Sequence, residues 1–191
     1  MLTQLVTVKN RLAISDLDPA FDVLLAAAIR AASARFDLEC RRIFARTADL
    51  EYEFPAGDTE ILVPGYPIES ITRFEVKTAE AEGWAVQSDI GHLVRRKCVI
   101  SLERPLGGRR SQARVIYTGG YVLPGSVPTA GQTLLPGELE NATVEQVAFW
   151  FQNRDRLGLS RSWDYHATYR QFGALDLLPG VEKVLARYRR V

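Results

Sequence analysis

Between Phe21 and Ile43 apolar residues recur at spacings of three and four: Phe21, Leu25, Ala28, Ile29, Ala32, Phe36, Cys40 and Ile43. That period lays one apolar face along a helix. Asp16-Leu17-Asp18-Pro19 announces its start. Asp18 is placed to cap, and Pro19 suits the first helical position, where a missing N–H costs nothing. The pattern predicts a long N-terminal helix over 18–44, preceded by an extended lead-in over 1–15. Its centre, Leu24–Ala34, is rich in small residues that let another helix approach closely. A packed core is the plain reading of that stretch, and inter-subunit contact the sharper one.

From Ala48 the period changes to two. Leu50, Tyr52 and Phe54 alternate with Glu51 and Glu53, marking a half-buried strand. Glu60–Val63, Ile68–Lys77, Cys98–Leu102 and Gln112–Tyr117 read as further strands, and Thr78–Gly83 as an exposed turn before Trp84–Val86. In the third strand Phe74 opposes Glu75 in phase, and Pro105–Arg110 reads as a mobile loop with a basic tip. Between 119 and 136 stand Gly119, Gly120, Pro124, Gly125, Pro128, Gly131 and Pro136, too many breakers for a regular element. Such a loop has a job or is anchored by a partner. A helix follows over 137–157, with Val144, Val147, Ala148 and Phe151 as its stripe and Gly158 at its end. Residues 159–174 are polar and aromatic, and Pro179-Gly180 precedes a short helix over 181–190. The expected fold is α+β: a small helical bundle carrying an inserted small antiparallel β-sheet over about 48–118. The expected organisation is a core over 1–158 with a C-terminal docking extension over 159–191.

Composition adds mainly exclusions. The chain has 191 residues, and 47% are hydrophobic, enough for a real core. Net charge is +1, which argues against a free-standing polybasic nucleic-acid binder. Twenty arginines stand against four lysines, and arginine favours interfaces and phosphate contacts, although a GC-rich genome would produce the same ratio. Cys40 and Cys98 are far apart and read as two buried thiols in a reducing compartment. The first residues lack the pattern of a signal peptide, and no apolar run approaches membrane-spanning length, so a soluble protein made in the cytoplasm is expected.

Enzymatic constellations are scarce. The two histidines are His92, expected on a surface turn, and His166, which with Asp164 makes a fragment of a dyad without a nearby nucleophile. Metal-binding spacings are missing, as is the Lys-Ser/Thr that a phosphate loop would need after Gly119-Gly120. No catalytic residue, cofactor or metal is therefore expected. Basic clusters are short: Arg41-Arg42, Arg95-Arg96-Lys97, Arg109-Arg110 and Arg187–Arg190. Singly, each reads as a solvated face. The segment Asn153–Val191 is more basic, with eight positive against four negative side chains. With four aromatic residues ahead of its basic end, it suits docking onto an acidic protein surface.

The order of these pieces resembles a known family. Asp18-Pro19 through Phe44, with Ala31-Ala32-Ser33 before Phe36 and the exit Arg41-Arg42-Ile43-Phe44, is similar to the first helix of the head–tail connector (adaptor) proteins of tailed bacteriophages and related prophages. Arg114–Tyr121, then Val127-Pro128, then Asn141–Leu157, resembles their strand-to-helix joint. The resemblance covers most of 10–158. It implies a non-enzymatic virion neck protein forming a twelve-fold ring beneath the portal protein, extending the DNA channel and joining capsid to tail. Its implied partners are the portal protein, a tail-side neck, stopper or tail-completion protein, and copies of itself. DNA would pass without sequence-specific binding, and no membrane is involved. Portal docking would fall to Trp163, Tyr165, Tyr169, Arg170, Phe172, Arg187, Tyr188, Arg189 and Arg190. Channel or inter-ring loops would carry Arg95, Arg96, Lys97, Arg109 and Arg110, and Gly119, Gly120 and Pro128 would form the structural joint. The longer β insertion and the extension from Leu159 depart from the smallest members. The alternatives are a small nucleic-acid-binding protein using the arginine loops and basic tail, an enzyme using Asp164 and His166, and a stopper or tail-completion protein.

Overall fold

The computed structural model describes residues 1–108, 110–154 and 177–190. The chain divides into two compact units: Met1–Cys40 with Pro136–Arg189, and Arg41–Leu135 with Arg190. The first is helical and the second is antiparallel β, so the fold is α+β.

Four helices make the first unit. The lead-in is not extended: α1 spans Leu5–Arg11. Leu2, Leu5, Val8 and Leu12 recur at three and four, and Leu2 and Val8 are buried. Lys9 is buried as well, donating to the carbonyls of Asp16 (3.1 Å) and Asp18 (2.7 Å) and to the Asp22 carboxylate (2.9 Å). Helix α2 spans Asp22–Cys40, shorter than the expected 18–44. Asp18 Oδ1 accepts from the Ala20 N–H and the Pro19 carbonyl from the Asp22 N–H, so cap and proline shape a turn ahead of the helix. At the other end Arg41 turns left-handed (φ 51°), and Ile43 donates its N–H to Pro64 in the second unit's own backbone.

Helix α3 spans Gly137–Gln152 and stops short of the expected 157. Asn153 caps it, its backbone N–H and its side-chain amide both donating to the Phe149 carbonyl. Helix α4 spans Pro179–Leu185, with proline in its first turn. Val8, Leu25, Ile29, Ala32, Val144, Val147 and Trp150 form one core cluster, and Phe21 meets Phe151 edge to face at 5.1 Å. Each fully buried aliphatic contributes roughly 1.5–3 kcal/mol. Val181 and Leu185 of α4 are also buried, and the Leu178 N–H donates to Gln146 Oε1. The described part of the expected docking extension up to Arg189 thus belongs to the first unit.

The second unit holds two antiparallel sheets instead of the single one expected. Its strands are β1 (Thr47–Pro55), β2 (Glu60–Leu62), β3 (Ile68–Lys77), β4 (Ala85–Gln87), β5 (His92–Arg95), β6 (Val99–Leu102) and β7 (Gln112–Gly119). The orders are β1-β7-β3-β4 and β2-β6-β5. His92 opens a strand instead of lying on a turn. That strand is exposed along its length, so it lacks the alternation by which strands are recognised. Phe54, Ile61, Phe74, Ile100, Val115 and Tyr117 are among the core residues. The Pro105–Arg110 loop is tied down at Leu106 and Gly107, whose N–H groups both donate to the Ala56 carbonyl. Cys98 is half-buried, not buried, and both cysteines are free thiols.

Candidate assembly surfaces

Strand β7 ends at Gly119, and the next residue bends with φ +105°. A Cβ on Gly120 would lie 2.5 Å from the Ala45 carbonyl oxygen, and one on Gly119 would collide with the carbonyl of Gly65. The backbone here is pinned: Gly120 N–H donates to Pro67, Tyr121 N–H to Phe44, and Arg46 N–H to Tyr121. Tyr117 lies beneath, fully buried, its hydroxyl accepting the Gly65 N–H at 2.9 Å. Burial pushes the phenol up to about 12.

Beside the joint, Arg42 is 4% exposed and lies over Tyr66 at 3.5 Å, Phe44 at 4.6 Å and Tyr121 at 5.4 Å. Aromatic faces compensate this cation, with the Tyr66 carbonyl accepting from one terminal nitrogen. Among the described residues, Arg42 Nε and Trp150 Nε1 are the buried side-chain donors that lack an acceptor.

The segment after the joint is ordered despite its breakers. Val122 exchanges backbone bonds with Thr133 and Leu135, and the Thr129 N–H donates to Gln132 Oε1 at 3.0 Å. Hydrogen bonds from Arg46 and from Gln132 hold the Glu69 carboxyl below its ordinary range, the arginine being the larger cause. Val127, at the tip, is 88% exposed and is followed by Pro128.

The outer face of the four-stranded sheet carries a charge network that alternation concealed. Glu75 is 4% exposed although its phase put it on the polar side. Arg73 and Arg114 both donate to it, Arg114 also reaches Glu51 (2.8 Å), and the Arg114 guanidinium lies over Trp84 at 4.6 Å. The Arg73 hydrogen bond is the first cause holding the Glu75 carboxyl below its usual range, ahead of opposing desolvation and the Arg114 contribution.

The predicted basic sites separate into several places. Arg95 donates to Glu60 at 2.9 Å. Arg96 and Lys97 form the β5–β6 turn with φ 49° and 56° and pair with no carboxylate among the described residues. Arg110 is exposed, and Arg109 lies outside the described residues. Arg187 and Tyr188 both bond Glu138, and Arg189 bonds Glu39, all within the first unit. Arg190 belongs to the second unit, donating to the Tyr52 hydroxyl (2.7 Å) and the Leu62 carbonyl. Trp163, Asp164, Tyr165, His166, Tyr169, Arg170 and Phe172 lie outside the described residues. His92 Nδ1 lies 3.0 Å from the Ile90 carbonyl, and its ring meets Phe74 edge-on. Among the described residues no group of His, Cys, Asp and Glu could hold a metal, and no helix is long and apolar enough to cross a membrane.

Helix α2 is apolar on two sides. Leu25, Ile29, Ala32, Phe36 and Cys40 are buried, while Leu24, Ala27, Ala31, Ala34 and Leu38 (75% exposed) run along an open face. Where that face meets α3, Leu24, Ala27, Ala28, Ala31, Trp150 and Phe151 line a groove of about 310 Å³ with Arg154 at its edge. A second cavity of about 500 Å³ lies between α3 and α4, with Ala142, Leu178 and Val181 in its lining. The groove went unrecognised in the sequence, although apolar residues on two sides of α2 are its signal.

No family model and no curated protein sequence matches the chain. Solved structures do. A chain from the neck of an empty gene transfer agent particle, computed with C6 symmetry, matches with a TM-score of 0.62 at 17% identity, covering 100% of this chain and 90% of that one. A chain from the virion of a native gene transfer agent particle matches with a TM-score of 0.59 at 15% identity, over the same shares. What is shared is the fold. It extends over the helical and β units alike, since the whole chain is covered.

Proposed function

We propose that this protein is a structural component of a virion neck, a head–tail connector of the adaptor type. In this reading copies form a ring beneath the portal protein, extend the DNA channel and join capsid to tail. The observation that carries it is the whole-chain likeness to a chain of a particle neck, over 100% of this sequence. The order of helix, joint, loop and helix supports it independently. A ring subunit needs lateral faces that are apolar without being large enough to aggregate, and the open face of α2 is of that kind. The proposed count is twelve, which contains the six-fold axis of the neighbour's neck as a subgroup. The role is assembly, not catalysis.

The proposed portal-docking surface is the 159–191 extension, with the tail-side protein meeting loops of the β unit. Arg187, Tyr188 and Arg189 already bond within the chain, so a portal contact through them exchanges bonds that exist. Because α4 is folded beforehand, docking through it costs less ordering entropy than a free tail would. Truncation at 158 would strip Val181 and Leu185 from the first unit, so substitutions at exposed positions make the cleaner test of docking.

Mixing the full chain with portal rings and imaging by electron microscopy tests the assignment. A second ring stacked on the portal, of twelve copies by mass, is the expected result. A chain that leaves portal rings bare at micromolar concentration overturns it.

A further inference from the structure

Two sheet edges of the β unit stand open. Strand β4 ends the four-stranded sheet and β5 ends the three-stranded one, and among the described residues no other strand pairs with either outer edge. An open edge is a row of unpaired N–H and C=O groups, and what satisfies it is another extended backbone. Both strands keep an uninterrupted register, without proline or bulge to guard them. Both also expose apolar side chains, Val86 being 59% and Leu93 68% exposed. The two edges lie close together. Phe74 is the register partner of Gln87 in β4, and its ring meets that of His92, the first residue of β5, at 5.5 Å.

Charge selects the backbone that pairs and its direction. Ahead of β4 a single 3-10 turn presents Glu80 and Glu82, and past β5 the turn into β6 presents Arg96 and Lys97, all four exposed. Glu80 is paired with Lys77, whereas Glu82 bonds the Thr78 hydroxyl and no cation among the described residues. The acidic turn precedes its strand and the basic turn follows its own. Antiparallel pairing of a β4 with a β5 therefore sets the two turns side by side, and parallel pairing would part them. Alternation then fixes the register. With Val86 opposite Leu93, Trp84 falls opposite Arg95 and Glu82 opposite Lys97. A nucleic-acid strand would satisfy the cations and leave the sheet edge unpaired.

We propose that two copies of this chain pair edge to edge, β4 of each adding antiparallel to β5 of the other, with Val86 facing Leu93 and Glu82 facing Lys97 at each junction. Because both edges lie at one side of the unit, a two-fold axis makes every contact twice. The pairing removes open edges that would otherwise template aggregation. It uses the β unit alone and leaves the apolar face of α2 uncovered, so it stands apart from the connector reading.

The test uses the full chain in a Cys98→Ser background, with Val86→Cys in one preparation and Leu93→Cys in another. Oxidation of the mixture is expected to give a covalent dimer, while either preparation alone stays monomeric on a denaturing gel. Sedimentation equilibrium then reads the charges. Glu82→Lys and Lys97→Glu are each expected to weaken dimerisation about tenfold, because like charges would face each other at both junctions. The two substitutions in one chain exchange the charges, and dimerisation is expected to return to within about threefold of the parent. Circular dichroism should be unchanged throughout, because both side chains are exposed. A parent that stays monomeric at about 100 µM, where even a weak contact populates the dimer, overturns the proposal. So does a covalent dimer formed as readily by either preparation alone, or a charge exchange that fails to restore association.

Discussion

Gly119 and Gly120 show what a single residue decides in this chain. Both are required by close approach of another backbone, and Gly120 by its positive φ as well. Gly120→Ala is expected to cost about 3 kcal/mol or more, combining a strained dihedral with a collision against the Ala45 carbonyl. Chemical denaturation of the variant checks this, and an unchanged midpoint would show that the joint yields. That a break falls here was legible, since glycines follow a strand. Its cause was not, because Gly65 and Ala45 are distant in sequence and meet the joint only after folding. The same holds for Arg42, whose neighbours Tyr66 and Tyr121 come from separate segments.

Among the elements, β3 and α2 separate what periodicity reveals from what it hides. The buried stripe of α2 was read almost residue for residue, because a 3.6-residue period is a local property. Strand β3 was located at its correct bounds, yet Glu75 is buried on the side that alternation marks as polar. Its partner Arg73 is on the same strand, but Arg114 comes from β7, and Trp84 in turn lies against the Arg114 guanidinium. Glu75→Gln is expected to cost about 1.5–3 kcal/mol at neutral pH through the lost charge-assisted bonds. Because the carboxyl titrates below its ordinary value of 4.5, its stabilisation is present above that pH and fades as pH falls through the folded value. The parent should therefore lose stability on acidification and the variant should lose less. Denaturant midpoints measured from pH 7 down to about pH 3 give the comparison; parallel curves would remove Glu75 from the acid response.

For the molecule as a whole, charge is the informative property. A balance of +1 conceals that many of the described cations are paired: Arg11 with Glu145, Arg46 with Glu69, Arg114 with Glu51, Arg187 with Glu138. Cations already paired release few counterions from DNA, so duplex binding is expected to be absent at about 10 µM protein and about 150 mM salt. Retardation of a duplex in a gel under those conditions, weakening steeply with added salt, would favour the nucleic-acid-binding alternative. The sequence by itself determined the α+β class, the main helices, five of the seven strands and the place of the joint. Each of these follows from local periodicity and from backbone-breaking residues. The tertiary structure alone decided that the strands form two sheets, that Glu75 is buried, and that the C-terminal helix packs within the helical unit. It also decided that α2 keeps an open apolar face ending in a groove. These depend on which distant residues come together to exclude water, and a linear pattern carries no record of that.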